Sequence, residues 1–193
     1  MVALRAVAAA VFIGAFAMIA VAASPDDDER MAGLRALKLD AGTVTTVERD
    51  DTLNGTTPNK RPFNDLPPRT IVKLVLKPAK GSNINVEIWL PDPGKWNDRF
   101  LGLGNGGSAG HINPGGFLGP LAAGYAVATT DMGTAPNADS GIGNPEVWKD
   151  FGFRAPHLMT VAAKQVLKAY YGKDAKYSYF NGGSTGGQQA LQE

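Results

Sequence analysis

At 193 residues, 44% hydrophobic and 8% aromatic, the chain can bury a sizeable core as one domain, and disorder is not expected beyond its ends. Its 19 basic and 18 acidic residues nearly cancel, so charge supplies no argument for nucleic acid or an anionic membrane surface as a partner. The 24 glycines and 13 prolines predict a loop-rich fold, and the absence of cysteine leaves its stability to packing alone.

Arg5 precedes an uncharged apolar run from Ala6 to Ala23, and Ala20-Val21-Ala22 supplies a small-x-small cleavage pattern just before Ser24-Pro25-Asp26. Residues 1–23 therefore read as a secretory signal peptide. The product is expected to be secreted or periplasmic, with no membrane contact after cleavage. An uncleaved anchor is the competing reading, since the run is near the lower limit for a spanning helix, but the alanine content and the cleavage pattern favour the signal.

Residues 24–70 read as an N-terminal extension with loops. Pro25 to Arg30 is an acidic exposed stretch, Met31 to Leu39 fits a short helix, and Thr43 to Val47 has β propensity. Asn54-Gly55 and Pro67-Pro68 break the stretch from Asp50 to Pro68, and Asn54-Gly55-Thr56 is a formal but weak glycosylation sequon.

Alternation then predicts two strands, with Val72, Leu74 and Leu76 on one face of the first and Ile84, Val86, Ile88 and Leu90 on one face of the second. The connection from Pro78 to Ser82 is short enough to make them an antiparallel pair. Arg99 to Leu103 and Tyr125 to Thr130 are short apolar runs suited to central parallel strands. Leu158, Val161, Ala162, Val166, Ala169 and Tyr170 recur at helical spacing between Arg154 and Tyr171, with Gly172 as the stop.

A β-rich, aromatic segment, Tyr177-Ser178-Tyr179-Phe180-Asn181, then runs into Gly182-Gly183-Ser184-Thr185-Gly186. In G-x-S-x-G the serine occupies a tight turn between strand and helix, where Gly182 and Gly186 leave room that larger side chains would fill. Ser184 is the expected acyl-enzyme nucleophile; the bland alternative is a glycine-rich turn with an incidental serine. The Thr185 N–H is an expected oxyanion donor, because the residue after the nucleophile faces the developing charge. A second donor is expected from Gly106 or Gly107 in the loop Gly104-Asn105-Gly106-Gly107, against the alternative of a plain flexible loop. The element order gives an α/β class: the N-terminal half of an α/β-hydrolase sheet, up to and including the nucleophile elbow, over residues 71–193.

Gly102-x-Gly104-x-x-Gly107 also matches a dinucleotide fingerprint, with Asp131 about twenty residues on as the ribose acid. Asn113-Pro114-Gly115-Gly116 breaks the helix that such a site requires, so no cofactor is expected. His111 reads as a loop histidine lining the pocket or exposed, because a base upstream of the serine reverses the order Ser, Asp/Glu, His of this fold. His157 reads as structural and Asp131 as a turn cap, while Asp150 and Trp148 carry no assignable chemistry. No His, Asp or Glu cluster has metal-ligand spacing. After Ser184 comes no histidine and a single acid, Glu193, too near along the helix to serve the triad. The 193 residues are therefore expected to be inactive alone, a nucleophile without its acid and base.

The segments Val86-Glu87-Ile88-Trp89-Leu90-Pro91, Trp96-Asn97-Asp98-Arg99-Phe100-Leu101, Gly104-Asn105-Gly106-Gly107, Tyr125 to Asp131, Asp150 to Ala155 and Tyr177 to Gln189, in this order, resemble the tannase and feruloyl esterase family of α/β-hydrolases. The resemblance implies hydrolysis of small-molecule esters of gallic, ferulic and related hydroxyaromatic acids, with the nucleophile at Ser184. It also implies a lid beyond the elbow that shapes the acyl pocket and often holds calcium, followed by the acid and the histidine. Family members commonly carry a cysteine before the nucleophile, disulfide-bonded beside the catalytic histidine; here Gly183 takes that position. The alternatives are an esterase for aliphatic or polymeric esters and, from another class, a non-catalytic binding module or decayed paralogue.

Overall fold

A computed structural model describes residues 25–57 and 59–193. The expected signal peptide lies outside the described residues. The first helix, α1, spans Pro25–Arg35 rather than starting at Met31. Proline costs nothing in a first helical turn, where its missing N–H has no partner to lose, and Asp26, Asp27 and Asp28 face the positive end of the helix dipole. The stretch read as merely acidic and exposed is thus a helix start, and it delivers Met31 and Leu34 to the core.

Strand β1 (Gly42–Asp50) is followed by a two-residue pair, β2 (Gly55–Thr56) and β3 (Pro62–Phe63), and then by β4 (Arg69–Leu76), β5 (Ile84–Pro91), β6 (Arg99–Leu103), β7 (Ala126–Thr130) and β8 (Tyr177–Asn181). The main sheet has six strands in the order β1-β4-β5-β7-β6-β8. β4 and β5 form the expected antiparallel pair, with Lys73 opposite Glu87. β5 also pairs antiparallel with β7, whereas β7, β6 and β8 run parallel. The sheet therefore changes character at the β5–β7 seam. Because β7 inserts between β5 and β6, the chain reverses its direction of travel across the sheet at that point, a place where α/β folds open clefts at strand C-termini.

Each face of the sheet carries its own core. Val72, Leu74, Leu76, Ile84, Val86, Ile88 and Leu90 share one face, as their alternation predicts, and pack with Ala126, Ala128 and α4 (Ala155–Tyr171). Ile71, Trp89 and Val127 occupy the other, against Phe117 and the short helix α2 (Leu118–Ala122). Between β7 and α4 lie α3 (Pro145–Lys149) and a single π turn, Asp150–Arg154.

The buried stripe of α4 is Met159, Ala162, Ala163, Val166, Leu167 and Tyr170; it keeps Ala162, Val166 and Tyr170 of the expected face, with Leu158 half-buried beside it, and turns toward Met159, Ala163 and Leu167. Val161 is 40% exposed and Ala169 is exposed as well. Two adjacent stripes of this helix are apolar, and helical spacing fits both. Packing over the alanines of β7 selects the stripe that contains Ala162 and Ala163, whose small side chains allow close approach. Gly172 ends the helix in the left-handed region, φ 72°, as its position predicts.

Candidate active site

The C-terminal ends of β6 and β8 lie side by side. The Gly104 N–H donates to the Asn181 carbonyl at 2.9 Å, which holds the exits of the two strands together. After Asn181 the chain turns sharply through Ser184, at φ 55° and ψ −126°, into the six-residue helix α5 (Thr185–Ala190). A non-glycine residue in this region costs about 1–3 kcal/mol and persists where its surroundings over-determine it. The surroundings here are glycines. A Cβ on Gly182 would collide with the Gly186 carbonyl, and one on Gly186 would lie 3.1 Å from the Gly104 carbonyl carbon. The room expected of Gly182 and Gly186 is used by backbone.

The loop after β6 is pinned at several points. The Asn105 Nδ2 donates to the Thr130 carbonyl at 2.7 Å, and its Oδ1, at 3.1 Å, shares the Thr129 hydroxyl with the Leu103 carbonyl, which accepts from it at 2.7 Å. Further on, Thr134 Oγ1 donates to the Ser108 carbonyl at 2.6 Å, and the Gly110 N–H donates to the Asp131 carbonyl at 3.1 Å. Between these anchors the Gly106 and Gly107 amides engage no acceptor among the described residues. No atom lies within 4 Å of where a Cβ would stand on either, and Gly107 takes φ 60°. Beside them lies a cavity of about 440 Å³ whose walls include Leu103, Phe117, His111, Asn113, Gly182 and Gly183. Gly106 also lines this cavity. Ser184 is exposed at the turn that leaves this wall.

The histidines and buried acids take other roles. His111 lines the cavity, with its Nδ1–H directed to the Ala109 carbonyl at 3.2 Å. His157 is an exposed α4 residue whose Nδ1 lies 3.7 Å from Glu193 Oε1. Neither is hydrogen-bonded to Ser184. Asp131 is buried and accepts from the Asn85 N–H at 3.0 Å, Asn85 Nδ2 at 2.5 Å and the Gly133 N–H at 2.9 Å, so it caps its turn and ties that turn to β5. The second buried acid, Asp150, accepts from Ser82 Oγ at 2.5 Å and Arg154 Nε at 2.6 Å. Arg154 also pairs with Glu146 at 2.8 Å, and Lys149 first, then Arg154, holds the Glu146 carboxyl below the usual carboxylate range. Trp148 meets Phe151 edge-on and covers Gly141. No helix opens at Gly107; the chain passes through the loop to a short turn, Pro114–Phe117. Among the described residues no three His, Cys, Asp or Glu side chains are grouped to hold a metal ion.

One residue of this arrangement escaped the sequence reading. Gln189 is 3% exposed, and its amide meets the backbone of Asn105 twice: Oε1 accepts the N–H at 3.1 Å, and Nε2 donates to the carbonyl at 3.3 Å. A glutamine in a short polar helix start looks no different in sequence from a solvated one.

A strained serine between packed glycines, beside a loop with two open amides, is the arrangement expected of an α/β-hydrolase. The profile described as tannase and feruloyl esterase matches residues 70–193. The chain belongs to the tannase and feruloyl esterase family. Among relatives, a probable feruloyl esterase B-2 of Aspergillus flavus is 39% identical over 62% of this chain and 23% of its own length. An uncharacterized esterase of Xanthomonas campestris pv. campestris is 34% identical over 83% of this chain and 28% of its own. In solved structures, feruloyl esterase B from Aspergillus oryzae superposes with a TM-score of 0.72 at 28% identity, covering 83% of this chain and 33% of that one. Tannin acyl hydrolase from Aspergillus niger, at 24% identity and a TM-score of 0.66, shares the fold. The chain spans roughly a quarter to a third of the length of these family members. No helix among the described residues is long and apolar enough to cross a membrane.

Proposed function

We propose that the protein is a serine carboxylic ester hydrolase acting on small hydroxyaromatic esters, galloyl or feruloyl. The observation that carries this reading is the conformation of Ser184, φ 55° and ψ −126°, at the turn between β8 and α5. Such strain is maintained where a side chain must be presented at a fixed angle. In the proposed reaction Ser184 Oγ attacks the ester carbonyl carbon while a base removes its proton. The resulting oxyanion accepts hydrogen bonds from the Thr185 N–H and from Gly106 or Gly107. Collapse expels the alcohol, which takes up the proton, and water then releases the carboxylic acid from the acyl-enzyme.

The acid and base of this reaction are assigned to residues outside 24–193, since Asp131 and Asp150 are engaged in structural bonds away from Ser184 and neither histidine is bonded to it. The calcium that the resemblance implies belongs to the lid beyond the elbow, and no three His, Cys, Asp or Glu side chains among the described residues are grouped to hold it. Export follows in the same proposal from Arg5, the run Ala6 to Ala23 and Ala20-Val21-Ala22. N-terminal sequencing of the secreted or periplasmic product should find a start near Ala23 or Ser24; an intact Met1 in the membrane fraction would instead establish an anchor.

Fluorophosphonate labelling and ester hydrolysis test the site together. Residues 24–193 alone should neither label nor hydrolyse feruloyl or galloyl esters. The protein produced from its native gene should do both, and Ser184→Ala should lower its kcat by roughly 10⁶-fold, the cost seen when a serine nucleophile is removed. Labelling of residues 24–193 that disappears in His111→Ala would overturn the assignment, because a base would then stand upstream. Failure of the native-gene product to label or turn over would favour the non-catalytic binding module.

A further inference from the structure

We infer that Gln189 is a positioning residue for the oxyanion loop, and that its side-chain amide holds the loop in register with the nucleophile turn. The inference rests on the proposed serine-esterase reading of Ser184 and extends it to a residue that touches neither substrate nor serine.

Three observations carry it. First, Gln189 sits on α5, the helix that begins directly after Ser184, so whatever it grips is referenced to the nucleophile rather than to the distant core. Second, its grip is on backbone: Oε1 takes the Asn105 N–H at 3.1 Å and Nε2 gives to the Asn105 carbonyl at 3.3 Å. A primary amide paired with both polar groups of one residue acts as a neighbouring strand would, just where β6 has ended and no strand continues. Third, the pairing determines which amides remain. With the Asn105 N–H engaged by Gln189 and its side chain held to Thr129 and Thr130, the next backbone donors along the loop are Gly106 and Gly107, neither of which is bonded among the described residues.

Burial makes the clamp sensitive. Gln189 is 3% exposed, so water does not replace either bond without opening the contact between Gly104 and Gly186. A donor moved by about 1 Å from its charge can cost on the order of 100-fold in rate, while leaving ground-state binding nearly untouched. The clamp should therefore appear in kcat rather than in KM.

The test uses the protein produced from its native gene, assayed on feruloyl and galloyl esters and titrated for active sites. Gln189→Met fills the same space and removes both bonds. It should lower kcat at least ~10-fold with KM within about threefold, and slow fluorophosphonate labelling in parallel. Gln189→Glu serves as a second variant that does not depend on the first folding. Its carboxylate faces the Asn105 carbonyl and repels it, but the protonated acid presents one donor and one acceptor, as the amide does. The ratio of its kcat to that of the parent should rise as pH falls, because a buried carboxyl gains its proton readily.

A merely structural glutamine would lower the melting temperature and leave kcat per titrated site and this pH ratio unchanged. Gln189→Met with kcat within twofold of the parent, a change confined to KM, or a Gln189→Glu protein that loses kcat without regaining any of it as pH falls would overturn the inference. Full activity in Ser184→Ala would instead overturn the serine-esterase reading beneath it, so the two failures are distinguishable.

Discussion

The antiparallel half of the sheet and the elbow half are built from different materials. In β4 and β5, seven alternating aliphatic residues from Val72 to Leu90 are at most 2% exposed, over strands eight residues long. Ion pairs staple the rim of this half: Arg49 bonds Asp92 at 2.5 Å and 3.0 Å, and the almost fully buried Arg69 bonds Asp50 at 2.5 Å. Around the elbow, β6 and β8 are five residues long, and Tyr177 and Tyr179 are nearly half exposed. Its cohesion comes from glycine-to-glycine backbone contact and from amide clamps on Asn105. The apolar half supplies stability in bulk, while the elbow half spends it on holding Ser184 in a disfavoured conformation.

That difference can be broken from either side. The larger loss of stability belongs to the apolar half. Ile88→Ala removes a fully buried side chain between β4 and β7, and chemical denaturation should show a loss of roughly 2–5 kcal/mol. Activity per folded molecule of the native-gene product should stay unchanged, because Ile88 lies on β5, separated from β8 by β7 and β6.

A smaller stability loss with a larger functional one is expected at Gly182→Ala. The new methyl meets the Gly186 carbonyl, and overpacking of this kind costs about 1–3 kcal/mol. The turn must shift to relieve it, which moves Ser184 relative to the loop; kcat per folded molecule should drop ~100-fold. An Ile88→Ala protein that loses activity beyond its unfolded fraction, or a Gly182→Ala protein that stays fully active, would show that the two halves do not divide the work in this way.

The features that the sequence makes legible are those with a strong local cause. Alternation located β4 and β5 and their buried faces, because side chains in a strand switch sides at every residue. Gly182 and Gly186 pointed to the turn at Ser184, since few other residues survive such backbone proximity. Where local causes tie, spacing alone does not separate buried from exposed positions. α4 carries two overlapping apolar stripes, and spacing places Ala162, Val166 and Tyr170 correctly but also draws in Val161 and Ala169, both of which face solvent. At α1 the acidic run looked like an exposed segment, although Pro25 followed by three aspartates is equally a helix start.

By itself, the sequence determined the family through an ordered string of motifs, the strand pair, the elbow turn and the glycine-rich loop, all signals that act within a few residues of one another. Only in three dimensions is it settled that β7 inserts between β5 and β6, that Asp131 and Asp150 are hydrogen-bonded supports, and that Gln189 reaches Asn105. These last facts join residues 46, 68 and 84 positions apart. A polar side chain carries the same letter whether it meets water or a backbone folded back from across the sheet, so only the closed chain distinguishes a clamp from a solvated surface.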